Sequence, residues 1–179
     1  MVSFNVAPGK NTDVTLVMRQ ASEEISVIGA MDPEALYQPV TADGTADAAK
    51  SILSTTGRGY FLVAIFGDGD EPSNHAIRDF ESMSKELAAW GRPVMIFGQS
   101  ADNVRNLAGR LATADNQELV HFGLDSGAAV RNMICEGCHS TSKTLPVIAM
   151  CDSFGRVVYL STGYNTSLAS QLRNVIAGI

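Results

Sequence analysis

Three cysteines stand in this chain of 179 residues, and two of them form Cys135-Glu136-Gly137-Cys138, the spacing of a dithiol that can close to a disulfide and open again. Four kinds of chemistry suit these residue types. As a redox pair the spacing is right, but Gly137 reads as the glycine that ends a preceding helix. Both thiols would then face the negative end of the helix dipole, which raises a thiol pKa and blunts its nucleophilicity, an effect that a protonated His139 would partly offset. Cys135-Glu136-Gly137-Cys138-His139 also matches the C-x-x-C-H of covalent haem attachment, although an α/β core of this size leaves no room for a porphyrin. Cys135, Cys138, His139 and the more distant Cys151 could supply four zinc ligands, but adjacent Cys and His rarely both reach one metal. The fourth reading is a loop disulfide, or two ordinary thiols, in the polar stretch from Cys135 to Lys143. Cys151 follows the apolar Val147-Ile148-Ala149-Met150 and reads as a small buried hydrophobe at a strand end.

The histidines say less. His75, His121 and also Trp90 suit packing or capping roles. A Cys-His-Asp set can be drawn from Cys151, His121 and Asp152, but such sets are recognised by geometry. No metal and no cofactor is assigned.

The elements that must position these residues follow from periodicity. Tyr60 to Phe66 is a continuous apolar run, the mark of a buried strand. Ile77, Phe80, Met83 and Leu87 recur at three- and four-residue steps, so one helix is predicted from about Ser73 to Trp90, stopped by Gly91 and Pro93. Val94 to Phe97 is a short buried strand, Asp102 to Leu111 a helix, Leu119 to Phe122 a further short strand, and Ser126 to Cys135 a brief helix. Val147–Met150 and Val157–Leu160 flank a turn at Ser153-Phe154-Gly155, and a last helix runs from about Ser167 to Ile176. This alternation predicts a layered α/β domain with a partly parallel, mixed sheet. Before about Thr41 the chain alternates like strands: Phe4-Asn5-Val6, Val14-Leu16-Met18 and Ile25-Ser26-Val27-Ile28 form a meander, followed by a linker or exposed loop over Thr41–Lys50. A boundary near Gly57 divides a β-rich segment, 1–56, from an α/β domain, 57–179.

Composition bounds the function. At 45% hydrophobic and 18% charged, the chain can bury one sizeable core but not two full domains. A net charge of −6 disfavours nucleic acid or an anionic membrane surface as partner. No apolar stretch approaches the roughly 20 residues of a membrane span, and Met1-Val2-Ser3-Phe4-Asn5-Val6 lacks a secretory layout, so the protein is read as cytoplasmic unless cut from a longer precursor.

The order of elements, with Thr144-Leu145-Pro146 leading into the penultimate strand, resembles a thioredoxin fold with a small amino-terminal β segment, in which that proline is typically cis. More narrowly, Glu71 to Asp79, Trp90-Gly91-Arg92-Pro93, and Leu145-Pro146 followed by Arg156 to Tyr164 are similar to the thioredoxin-like segment that follows the transglutaminase-like domain in large bacterial cell-envelope proteins. That resemblance implies a periplasmic or envelope location, a preceding β-sandwich of which residues 1–56 would be the last part, and partners among the other domains or peptides. It also implies that Asp70-Glu71-Pro72-Ser73 occupies the place of the usual redox cysteines. Asp70 reads as a helix cap, Pro72 suits a first helical turn, and Ser73 cannot exchange disulfides. Asp68-Gly69-Asp70-Glu71 as a cation loop lacks the further oxygen ligands calcium requires. The expectation is a non-catalytic accessory or interaction domain with a degenerate site at Asp70–Ser73 and Pro146. A thiol-disulfide oxidoreductase working through Cys135 and Cys138 is the alternative.

Overall fold

The computed structural model describes residues 25–179, and Phe4–Val6 and Val14–Met18 lie outside them. Three short strands, Gly29–Ala30 (β1), Leu36–Pro39 (β2) and Lys50–Ser51 (β3), and a helix, Ile52–Thr56 (α1), precede the central strand Tyr60–Ile65 (β4). Helices Glu71–Ser82 (α2) and Ser84–Trp90 (α3), strand Val94–Gly98 (β5), helix Ala101–Leu111 (α4), strand Val120–Leu124 (β6) and helix Ala129–Gly137 (α5) follow. Strands Val147–Asp152 (β7) and Arg156–Thr162 (β8) and helix Leu168–Gly178 (α6) complete the chain.

One mixed sheet runs β1-β8-β7-β4-β5-β6-β2-β3. β4, β5 and β6 are parallel, and every other pairing is antiparallel. β4 can be apolar throughout because both its faces are covered. Leu62, Ala64 and Phe66 point into a core closed by α2, α3, α4 and α6, through Ile77, Phe80, Leu107 and Leu172 among others. Phe61, Val63 and Ile65 point the other way, under Ile52 of α1 and Val130, Ile134 and Cys135 of α5.

Two local expectations need correction. The predicted single helix to Trp90 is two, because the chain breaks at Met83 (φ −96°, ψ 3°) while keeping that side chain fully buried. Ile25–Ile28 is not a strand. Only Gly29 and Ala30 pair with β8, although the Ile28 N–H already donates to Val157 O. Thr41–Lys50 is the expected exposed loop, held by a bridge between Val40 and Ala46 and by the Thr45 N–H donating to Asp43, before Lys50 enters β3 and the short helix α1 follows.

Candidate functional site

The chain turns from β4 into α2 through Gly67–Asp70, and the turn closes on itself. Asp70 Oδ1 accepts the Ser73 N–H at 2.8 Å, capping α2, and Pro72 stands in the first turn, where no N–H is needed. Ser73 is 1% exposed, and its Oγ accepts the Gly67 N–H at 2.7 Å. A Cβ on Gly67 would fall onto the Asp70 carboxylate, so this close approach needs glycine. The polar groups of Asp70 and Ser73 are thus spent on the backbone of their own loop. Glu71 is the acidic residue of the first turn.

Register places Pro146 beside this turn: Val147 pairs with Ile65, so the residue before it flanks Phe66. The Leu145–Pro146 peptide is cis. Its loop is fastened by the Gly163 N–H, which lies 2.8 Å from Thr144 O and 2.9 Å from Pro146 O. The next residue, Tyr164, is 57% exposed and packs its ring against that of His75 of α2, the two tilted by 38° with centroids 4.9 Å apart. His75 Nε2 lies 3.7 Å from Asp79 Oδ2, one turn further along α2. The face around the turn therefore presents Glu71, the His75–Tyr164 pair and the proline loop, and carries no thiol.

The cysteines lie elsewhere. Cys135, Cys138 and Cys151 are all free and belong to the core between the sheet and α5. Cys135 occupies the last turn of α5, as expected, but Gly137 does not end it by adopting a left-handed conformation. The left-handed residue is His139 (φ 53°), after the cap Cys138. The Ser140 N–H donates to Cys135 O at 2.9 Å and the His139 N–H to Glu136 O at 3.0 Å, the paired bonds of a Schellman end. Gly137 is glycine for another reason: a Cβ there would fall onto Ala30 O, because the helix end presses against β1.

Burial raises the pKa of Cys135, with Lys143 and Arg131, rather than His139, partly opposing it. Burial and Cys135 raise that of Cys138. Cys151, 0% exposed on β7, is pushed furthest up, again by burial. Burial disfavours the thiolate at all three, and Cys135 and Cys138 also stand at the carboxyl end of a helix, the wrong end for thiolate chemistry. Among the described residues, no three His, Cys, Asp or Glu side chains converge as a metal site. Cys151 and Asp152 are separated from His121 by β4 and β5, and Asp152 accepts Arg156 Nε at 2.6 Å, so no Cys-His-Asp set forms.

Periodicity carried no sign that Tyr164 and His75 would meet, since the pairing depends on the loop after β8 returning over α2. The signal lay in Gly163, whose positive φ (70°) turns the chain there.

Taken together, the β4–turn–α2 unit, the mixed sheet and the proline loop before an antiparallel hairpin define a thioredoxin-like fold. Solved structures share it. The bacterioferritin comigratory protein of Xanthomonas campestris matches with TM-score 0.59 at 11% identity, over 85% of this chain and 98% of that one. MTB DsbF matches with TM-score 0.55 at 12% identity, over 83% and 99%. BsSco, of the Sco family of cytochrome c oxidase assembly proteins, matches with TM-score 0.55 at 10% identity, over 85% and 96%. No protein-family model matches the chain, and no curated protein matches it by sequence.

Proposed function

We propose that this chain is a thioredoxin-like accessory or interaction domain without thiol-exchange chemistry, belonging to a larger transglutaminase-like protein of the bacterial cell envelope. The observation that carries this reading is the self-satisfied turn at Asp70–Ser73. Disulfide exchange needs a sulfur at the helix amino terminus, where free N–H groups and the dipole stabilise a thiolate. Here that place is taken by a capping carboxylate and a buried serine. The exposed face beside it, with Glu71, Tyr164 and the Pro146 loop, offers contact area for another domain of the parent protein or for a peptide. Among the described residues no helix is long and apolar enough to cross a membrane.

Turnover of a model disulfide by dithiothreitol, followed with wild type and with Cys135→Ser, tests the reading. Both proteins are expected to leave the uncatalysed rate unchanged, and the variant to keep its fold. Catalysis by wild type that disappears in Cys135→Ser would overturn the proposal in favour of an oxidoreductase using Cys135 and Cys138.

A further inference from the structure

At the opposite end of α2 from the degenerate turn, the core between the helices and the sheet is not filled. An apolar cavity of about 70 Å³ opens where α2 gives way to α3. Its floor is Val94 and Ile96 of β5 with Val120 of β6. These share one face of the sheet, because Val94 and Ile96 are two residues apart and Val120 is the register partner of Val94. Phe80 and Leu87 wall the cavity on one side and Leu111 on the other, and all of these side chains belong to the same core.

The surrounding elements hold that space open. Phe80 and Glu81 stand on α2 and Ser84 and Leu87 on α3, either side of the break at Met83, so the wall they form is bent. Across from it a buried amide fixes the chain leaving α4. Asn116, 6% exposed, donates from Nδ2 to Leu111 O at 2.9 Å and accepts the Thr113 N–H at 2.7 Å. At the mouth, Arg110 donates through Nε and Nη2 to the two carboxylate oxygens of Glu81 at 2.8 and 3.0 Å, joining α4 to α2. Protein interiors hold few voids larger than a water molecule, and a preformed apolar space with a few polar groups at its mouth is the usual form of a small-molecule site.

We infer that this cavity binds a small neutral molecule in which a short branched alkyl body carries a carbonyl oxygen. The body follows from volume. An apolar cavity of about 150 Å³ stays dry and takes up benzene, so one of half that size suits roughly three or four carbons. The head follows from the ion pair. Its bidentate contact uses Nε and Nη2, and among the described residues Arg110 Nη1 makes no hydrogen bond, so its N–H groups are open to an acceptor. A carbonyl accepts without charge, whereas a carboxylate would meet the repulsion of Glu81.

Isovaleramide, whose body is an isobutyl group, titrated into the isotope-labelled full chain and followed by methyl NMR, tests this. Saturable shifts are expected at the methyl groups of Val94, Val120, Leu87 and Leu111 at millimolar ligand. Acetamide, which keeps the head and lacks the body, should give none. Isovalerate, the charged analogue of the same shape, should bind about fivefold more weakly, the upper range for an exposed charge pair. Glu81→Gln removes the repulsion and should bring isovalerate level with the amide or above it. Val94→Ile, which places one more methyl group in the cavity, should weaken isovaleramide. The same spectra report whether each variant is folded, and the comparison of amide with carboxylate needs the wild type alone. No saturable shift with isovaleramide, equal binding of isovalerate to wild type, or discrimination that survives in folded Glu81→Gln would overturn the inference. So would binding of a leucine-containing peptide where isovaleramide fails, since the cavity would then receive a side chain.

Discussion

Cys138 caps α5 half-buried, whereas Cys135 and Cys151 are fully covered, and a thiol must both meet the reagent and ionise before it reacts. All three are held above the ordinary thiol range by burial. Intact mass measurements during iodoacetamide treatment of native protein should therefore show slow addition of one label, at Cys138. The second and third labels should appear only with denaturant. Fast labelling of Cys135 in the native state would mean that the end of α5 opens readily. His121 gives a second test. Its folded pKa is lowered, chiefly by burial and then by Lys50. The unfolded chain then binds more protons through the window just below the ordinary histidine pKa of about 6.5. The contribution to stability is present above that value and is lost as pH falls through it toward the folded pKa. Denaturant midpoints measured across this range should fall with pH in wild type, and the slope should be smaller in His121→Gln.

At the scale of elements, the end of α5 shows where sequence patterns are informative and where they mislead. The helix itself was legible from Val130, Ile134 and Cys135, which recur on one face. Gly137 drew attention as a terminator because glycine tolerates left-handed backbone, yet that conformation falls on His139, and Gly137 answers to a tertiary contact with Ala30. No local pattern encodes the approach of a strand more than a hundred residues away in sequence. The same holds for Met83, whose place in the apolar stripe is correct while the backbone breaks there. The capped turn at Asp70, Pro72 and Ser73 was legible because capping depends only on neighbouring residues. These roles predict opposite effects from substitutions two residues apart at the same helix end: Gly137→Ala should destabilise by roughly 1–3 kcal/mol through overpacking. His139→Gly should stabilise by about 0.5 kcal/mol, because relief of left-handed strain outweighs the added freedom of the unfolded chain. Urea midpoints of the two variants decide this. Similar losses from both would mean that His139 contributes contacts beyond its backbone conformation.

On the scale of the whole molecule, the sheet is extended at both ends by residues that precede its central strand. β1 adds to β8 on one side and β2 to β6 on the other, with β3 outermost. The two cores differ in how they depend on this segment. The core under α2, α3, α4 and α6 draws almost wholly on residues after Gly57, with Val40 the earlier contributor. The opposite core includes Met31, Tyr37 and Ile52, which are 6%, 6% and 0% exposed. Burying a large apolar side chain is worth roughly 1.5–3 kcal/mol, so these three together contribute about 5–9 kcal/mol. That is comparable with the whole stability of an ordinary domain, about 5–15 kcal/mol. A fragment of residues 57–179 should therefore retain helix by far-ultraviolet circular dichroism but bind 8-anilinonaphthalene-1-sulfonate and lose cooperative thermal unfolding. The loss should be concentrated on the Phe61, Val63 and Phe97 side, where hydrogen exchange would accelerate first. If the fragment unfolds as sharply and at the same temperature as the full chain, residues 25–56 are a cover that the second core does not need.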